Sequence, residues 1–277
     1  MAEFYSNIIG LITDFGIKGS HYVASMKGVI LKINPGINII DVSHNITPFS
    51  VIEASYVLRT VYKQFPMGTV FIIVVDPGVG SLRDLLIIKT KSNYLFIGPN
   101  NGIFSNIIES DKISECFKIQ NTEYYNKPVS KVFHGRDIMS PVGAYITKGI
   151  NLKSFGPPFD PNNLLIYPLE YKISLKNKKI KCVIQYIDNF GNGTTNILIE
   201  NKTIKGTIIT LEQEKDIKFK INNREYQGKF MSHFESVPIN SILFIKGSTG
   251  FLEISVNQGN ASERIGFKVG DILTFYL

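Results

Sequence analysis

A chain of 277 residues, 44% hydrophobic and 19% charged, has a globular composition, which excludes a disordered or fibrous protein. Its net charge of +7 comes largely from scattered lysines without a recognisable binding motif, so we expect no nucleic-acid partner. No apolar run approaches the roughly 18 residues of a membrane helix, and no signal-peptide pattern opens the chain. Two cysteines without metal-site spacing, Cys116 and Cys182, suit a reducing compartment. We therefore predict a cytoplasmic protein without membrane contact.

Strand and helix signals alternate through the first 150 residues, which favours an α/β domain with a mostly parallel sheet. Segment 69–75, which is apolar at every position after Thr69, predicts a strand that is buried on both faces. Ser50 and Glu53 have the spacing of a capping box, and Asp137 is predicted to cap a helix that ends near Lys148. The other predicted strands are residues 8–13, 37–42, 85–89 and 94–97, and a further helix begins near Ser20.

The pattern changes after residue 150. Prolines and asparagines replace the periodic signal, so residues 151–172 are predicted to be a linker. Residues 173–277 then show short apolar segments separated by Gly and Asn turns, which predicts a small β-barrel or sandwich domain. The predicted strands are residues 181–187, 195–200, 207–211, 217–221, 241–245, 251–256 and 271–276.

Three aspartates, Asp14, Asp41 and Asp76, lie at or near the ends of predicted parallel strands. One such residue is often only a helix cap or a turn former. Several along one sheet edge indicate a polar pocket, because open α/β sheets bind ligands at the carboxyl ends of their strands. An aspartate at this position can hold two ribose hydroxyls. His44, which follows Asp41, is a further candidate for this pocket.

Two short polar segments carry the candidate chemistry. Asp76-Pro77-Gly78-Val79-Gly80 is followed by Arg83, and its glycines suit a tight turn better than a phosphate loop. Phe133-His134-Gly135-Arg136-Asp137 contains the one histidine that lies inside a polar cluster. A lone histidine is usually structural, but converging Asp, Arg and His side chains can move a proton or hold an anion. No His or Asp pair has metal-site spacing, so no metal is predicted.

Asp188-Asn189-Phe190-Gly191-Asn192 opens the first turn of the second domain. Its simplest interpretation is a hairpin. The same segment also offers a carboxylate, an aromatic face and an amide, which together could hold an amine and a base.

Seven ordered segments resemble the family of S-adenosyl-L-methionine (SAM) hydroxide adenosyltransferases, the adenosine-forming SAM hydrolases related to SAM-dependent fluorinase and chlorinase. Each segment alone is weakly specific, but their order and two-domain placement make the match specific. They are Thr13-Asp14-Phe15-Gly16, Asp41-Val42-Ser43-His44, Asp76-Pro77-Gly78-Val79-Gly80, Gly98-Pro99-Asn100-Asn101-Gly102, Phe133-His134-Gly135-Arg136-Asp137, Asp188-Asn189-Phe190-Gly191-Asn192 and Asn257-Gln258-Gly259-Asn260-Ala261.

The resemblance implies an N-terminal α/β domain, a smaller C-terminal β-barrel and a homotrimer. SAM would be the substrate, and no cofactor is implied. SAM would lie between the N-terminal domain of one subunit and the C-terminal domain of the next. Asp76, Arg83 and His134 match a water-activating triad. The implied substrate contacts are Asp14 to the ribose diol, Phe49 and Phe133 beside the sugar, Asp188 to the methionine amine, Ser248 to its carboxylate, Phe190 and Phe234 around adenine, and Asn192 on the adenine edge.

Two alternatives remain beside the hydrolase. A non-catalytic sensor of SAM or adenosine would not need a water-activating triad. The related halogenases lack that triad and carry a long insertion after the loop of the third strand, whereas Arg83 here leads to Tyr94 within a short pair of strands. Residues 17–22 run one residue longer than the family pattern, so no contact is assigned to them.

Overall fold

The computed structural model describes residues 5–167, 172–174 and 179–276. Contacts divide the chain into two compact units, Met1–Tyr167 and Pro168–Leu277. Residues 151–167, which composition predicts to be linker, pack within the first unit because Leu152 and Phe155 are buried in its core. Within the described ranges no helix has both the length and the hydropathy to cross a bilayer.

A six-stranded sheet forms the centre of the first unit. Its strands are β1 (Ile8–Thr13), β2 (Asn38–Ser43), β3 (Val70–Val74), β4 (Leu85–Thr90), β5 (Leu95–Pro99) and β6 (Ile113–Lys118). Their order in the sheet is β2-β1-β3-β5-β4-β6. The first four strands in this order are parallel, and β4 lies antiparallel between β5 and β6.

Helices cover both faces of this sheet. They are α1 (Ser20–Ile33), α2 (Val51–Val61), α3 (Ser105–Ser110) and α4 (Ser140–Thr147). Alternate β3 residues enter two separate cores: Val70, Ile72 and Val74 pack with α1 and α4, whereas Phe71 and Ile73 pack with α2 and α3. A strand with helices on both faces must be apolar at every position. The predicted three-layer, mostly parallel α/β domain is confirmed.

The second unit is a closed β-barrel. Its strands are β7 (Lys172–Ser174), β8 (Lys179–Ile187), β9 (Gly193–Glu200), β10 (Thr203–Ile204), β11 (Asp216–Ile221), β12 (Arg224–Phe230), β13 (Ile242–Lys246), β14 (Phe251–Val256) and β15 (Ile272–Tyr276), with the helix α5 (Ala261–Ile265). Seven strands, in the order β9-β14-β13-β12-β11-β15-β8, close when β8 pairs with β9. Closure leaves these seven strands without a free edge. The expected C-terminal barrel is confirmed.

Some local predictions are wrong. Residues 207–211 do not form the predicted strand. The Thr207 hydroxyl donates to the Ile204 carbonyl and accepts from the Ile209 amide, and these two hydrogen bonds make a turn. Strands β6 and β12 were not predicted from the sequence. β12 follows Asn222 and Asn223, whose positive φ angles of 48° and 62° form the tight turn after β11.

Both predicted helix caps differ from the structure. Ser50 precedes α2 but makes no side-chain capping bond, and Glu53 instead accepts from the Thr47 amide at 3.2 Å. Asp137 does not cap a helix either, since it lies inside a π-helical turn over Gly135–Met139 that leads into α4. Its carboxylate instead accepts hydrogen bonds from a neighbouring loop.

Candidate active site

Asp76, Arg83 and His134 form one connected cluster beyond the carboxyl end of β3. Arg83 Nε lies 2.8 Å from each carboxylate oxygen of Asp76, and Nη2 also contacts Oδ2. The same Nη2 lies 3.1 Å from His134 Nδ1. Only 3% of the Asp76 side chain and 11% of the Arg83 side chain are exposed, so water screens this ion pair weakly.

Glycines shape the turn that joins Asp76 to Arg83. The Val79 amide donates to the Asp76 carbonyl. Gly80 has a φ of +82°, and a Cβ there would lie 2.6 Å from the Lys131 carbonyl oxygen. This position therefore requires glycine both for its backbone conformation and for the close approach of the segment that leads to His134.

A buried carboxylate fixes the segment that carries His134. Asp137 is fully buried and accepts hydrogen bonds from Asn126 Nδ2, the Ser130 amide and the Arg136 guanidinium, at 2.7–2.9 Å. Burial alone would raise the pKa of Asp137, but these bonds outweigh it and lower the pKa. Asp137 thus stays ionised and holds the loop before His134 against the π-helical turn.

The environment of His134 favours its neutral form. Its pKa is lowered mainly by burial and next by the positive charge of Arg83, against smaller opposing effects of Asp76 and Asp137. Arginine can only donate, so His134 Nδ1 must accept from Arg83. In the neutral imidazole the ring hydrogen then lies on Nε2.

The cluster faces a cleft of about 290 Å³ in the first unit. Its lining residues include Asp14, Phe49, Asp76, Phe133 and His134, five of the predicted site residues. Arg83 bridges Asp76 and His134 without belonging to this lining. The cleft therefore combines two carboxylates, an imidazole and aromatic walls.

Asp14 and Phe49, which both line this cleft, are linked by a hydrogen bond. Asp14 Oδ2 accepts from the Phe49 amide at 2.8 Å. The pKa of Asp14 is raised mainly by burial, with a contribution from the charge of Asp76, although the bond from Phe49 opposes the shift. Phe49 has a φ of +67° and a side chain that is 69% exposed. An exposed aromatic residue in a left-handed conformation is a strained feature of the kind found at functional sites.

Two aromatic residues of the cleft had no predicted role. Phe15 and Tyr22 line it and pack with Phe133, with ring centroids 5.4–5.9 Å apart. Phe15 lies inside the Thr13–Gly16 motif, so its place in the cleft could have been predicted from that motif. Tyr22 lies in the segment that departs from the family pattern.

His44 and Asp41 are not among the residues that line the cleft. His44 Nδ1 lies 2.9 Å from Thr13 Oγ1, and its Nε2 lies 3.0 Å from Asp41 Oδ1. Asp41 also pairs with Lys27 at 2.6 Å. The expectation that His44 shares the pocket is therefore wrong: its ring is used to link the end of β1 to β2.

A second pocket, of about 560 Å³, lies in the second unit. Phe190, Asn192 and Phe234 line it, together with Glu235 and residues 256–259. Phe190 is 77% exposed, which leaves its ring face open to a ligand. Asp188 and Ser248 are not among the lining residues.

Asp188 organises the turn that presents Phe190 and Asn192. Its Oδ1 accepts from the amides of both residues, and Oδ2 accepts from Asn192 Nδ2, all at 2.9 Å. Ser248 lies in the turn between β13 and β14 and is exposed. Among the residues that the structure describes, no three His, Cys, Asp or Glu side chains gather closely enough to hold a metal ion.

Comparison with known proteins identifies the family. Residues 9–156 match the SAM hydroxide adenosyltransferase N-terminal domain, and residues 182–274 match the C-terminal domain of the same family. The (R)-S-adenosyl-L-methionine hydrolase of Methanocaldococcus jannaschii is 39% identical over 270 residues, which cover 95% of this chain and 93% of that protein.

A fluorinase and a solved structure are also similar to this chain. The fluorinase of Actinoplanes sp. is 26% identical over 213 residues, which cover 69% of this chain and 71% of that enzyme. The crystal structure of an uncharacterised conserved protein from Thermotoga maritima superimposes with a TM-score of 0.85 at 33% identity, covering 97% of this chain and all of that one. The chain belongs to the SAM hydroxide adenosyltransferase family.

Proposed function

We propose that the protein hydrolyses SAM at C5′ to adenosine and L-methionine. The observation that carries this proposal is the Asp76–Arg83–His134 cluster, two members of which line a cleft beside Asp14. The M. jannaschii, Thermus thermophilus and other relatives named (R)-S-adenosyl-L-methionine hydrolase support the same reaction.

The chemistry requires little beyond a well-placed water. The sulfonium of SAM is already a good leaving group, so an oxygen nucleophile need only attack C5′ in line with the C–S bond. The C–O bond forms as the C–S bond breaks, methionine leaves with the electron pair of that bond, and one proton is lost. Holding the water in this geometry supplies much of the rate enhancement.

We assign the three residues complementary tasks. His134 Nε2–H donates to the attacking oxygen, because Nδ1 accepts from Arg83. Asp76 accepts a hydrogen of the same water and takes the proton as the C–O bond forms. A weakly basic carboxylate suffices, since the oxygen becomes strongly acidic once it bonds to carbon. Arg83 holds the Asp76 carboxylate and the His134 ring in fixed positions relative to each other.

The remaining contacts follow the family resemblance. Asp14 would bind the ribose diol, with Phe49 and Phe133 beside the sugar. Asp188 would bind the methionine amine and Ser248 its carboxylate. Phe190 and Phe234 would sandwich adenine, with Asn192 on its edge. The exposed ring of Phe190 is compatible with its role.

The homotrimer, with SAM bound between neighbouring subunits, also remains a proposal. Light scattering on the protein after size-exclusion chromatography tests it directly. We expect about three times the 31.1 kDa chain mass, and a monomeric mass at catalytic concentrations would contradict it.

The reaction is tested by incubating the protein with SAM in chloride buffer and identifying products by mass spectrometry. Adenosine and methionine support the hydrolase, whereas a 5′-chloro nucleoside would make the protein a halogenase. SAM binding without turnover would identify a sensor. His134→Ala should retain SAM binding and lower turnover sharply, and unchanged turnover would remove His134 from the mechanism.

A further inference from the structure

Glu253 is a largely buried carboxyl near Asp188 that the proposed chemistry does not yet use. It lies on β14, opposite Thr194 of β9 and Ile245 of β13. Its sequence neighbours Leu252 and Ile254 point into the barrel core, so strand alternation places Glu253 on the outer face.

The carboxyl of Glu253 lies between two turns that carry predicted substrate contacts. A Cβ on Gly247, the residue before Ser248, would overlap the Glu253 carboxylate, so the side chain packs directly against this turn. On the other side, the Thr194 side chain hydrogen-bonds to Glu253, and the charge of Asp188 acts on it. A larger residue at position 247 would therefore push the Glu253 carboxyl out of its present place.

No cationic partner compensates this carboxyl in the described part of the chain. Burial first, and then the nearby charge of Asp188, raise the pKa of Glu253 to about 7, and the bond from Thr194 offsets only part of the shift. Around it, β8 contributes Tyr186 opposite Thr194, the following turn contributes Asp188, and β13 contributes Ile245 and the exposed Lys246. Two carboxyl groups thus share one side of the barrel.

We propose that Glu253 is a positioning residue that completes, with Asp188, a two-carboxylate site for the α-ammonium group of the methionine moiety. The inference rests on the proposed function and on the amine contact assigned to Asp188. An ammonium group between two carboxylates gains charge-assisted hydrogen bonds from both. A ligand that lacks the amine leaves two like charges unneutralised, so the pair selects for α-amino acids.

Binding at such a site releases a proton. Protonated Glu253 loses its hydrogen when the ammonium arrives, the carboxylate pairs with the cation, and the proton passes to solvent. With a pKa near 7 in the free protein, most sites should release a proton on binding at pH 6 and few should do so at pH 8. Affinity for the methionine moiety consequently rises with pH up to about pH 7.

Isothermal titration calorimetry tests this coupling. L-Methionine is titrated into the protein saturated with adenosine, at pH 6 and pH 8, in buffers that differ in ionisation enthalpy. We expect proton release at pH 6 from the wild type and from Glu225→Gln, a control at an exposed position on β12. Glu253→Gln should release none. 3-(Methylthio)propanoate, which lacks the amine, should bind without release.

Kinetics separates this inference from the proposed function. In Glu253→Gln we expect the KM for SAM at pH 8 to rise about tenfold or more, with a much smaller change in kcat. If the wild-type protein hydrolyses SAM but has the same KM and proton release as Glu253→Gln, the proposed role of Glu253 is wrong. The proposed function is then unaffected. If the wild-type protein does not hydrolyse SAM, the proposed function is wrong. The calorimetric measurement would still test the amine site.

Discussion

Arg83 Nη2 lies 3.1 Å from His134 Nδ1 while the same guanidinium holds the carboxylate of Asp76. This contact fixes the imidazole hydrogen on Nε2, because arginine cannot accept a hydrogen bond. The pair therefore sets which edge of His134 can donate to a bound water.

Replacing Arg83 by lysine should lower kcat about 100-fold with a smaller effect on the KM for SAM. A lysine keeps the positive charge but cannot span Asp76 and His134 with a planar fork. Steady-state kinetics compares Arg83→Lys with Arg224→Lys, a control on the exposed end of β12. Equal kcat values for the two variants would show that the bridge is dispensable.

The pH profile of kcat, measured at saturating SAM, should be flat near neutral pH and fall only at a pH below 6.5, the ordinary histidine pKa. Burial and Arg83 lower the pKa of His134 below its ordinary value of 6.5, so the ring is neutral near pH 7. Protonation at lower pH would place a second cation against Arg83 and break their hydrogen bond. A profile that rises toward low pH would contradict a neutral His134.

Asp137→Asn should destabilise the fold by about 2–4 kcal/mol, since it leaves Arg136 and two other donors without a charged acceptor. It should also lower kcat, because the loop it anchors precedes His134. Denaturant unfolding compares it with Asp160→Asn, a change at an exposed turn. If both variants unfold at the same denaturant concentration, Asp137 is not an anchor.

Gly80→Ala should cost more stability than Gly206→Ala. Both glycines have positive φ, +82° and +75°, and the alanine variants share that backbone penalty of roughly 1 kcal/mol. Only Gly80 faces a backbone oxygen, 2.6 Å from the added Cβ, whereas Gly206 faces open space. Thermal unfolding measures the difference, and equal losses would mean that Lys131 moves aside without cost.

Phe49→Gly should be more stable than Phe49→Ala by about 1 kcal/mol, the reverse of the usual order. The reason is the φ of +67° at this position, which alanine tolerates poorly. Both variants should bind SAM more weakly than the wild type. Unfolding and binding measurements check the two statements separately, and a less stable glycine variant would show that Phe49 is not strained.

The family resemblance and the fold class were both predictable from the sequence, and both are confirmed. Strand ends locate Asp14 and Asp76 because each carboxylate directly follows an apolar run. The contact between Arg83 and His134 joins residues 51 positions apart, so local patterns could not reveal its geometry. The roles of the individual site residues stay predictions.

Two features escaped the sequence analysis for identifiable reasons. Glu253 is a polar residue in an alternating strand, a pattern that usually marks a solvent-facing side chain, but tertiary contacts such as that with Gly247 partly bury it. Tyr22 joins Phe15 and Phe133 through tertiary packing. The capping box predicted for Ser50 and Glu53 is absent for a similar reason. The backbone of residues 47–50 places the Thr47 amide where it donates to the Glu53 carboxylate.

The most direct test of the account is the reaction of SAM in ¹⁸O-labelled water, with the products analysed by mass spectrometry. We predict methionine without label and adenosine that carries one ¹⁸O atom at the 5′ position. Adenosine without label, or a nucleoside with chloride at C5′, would contradict water as the nucleophile.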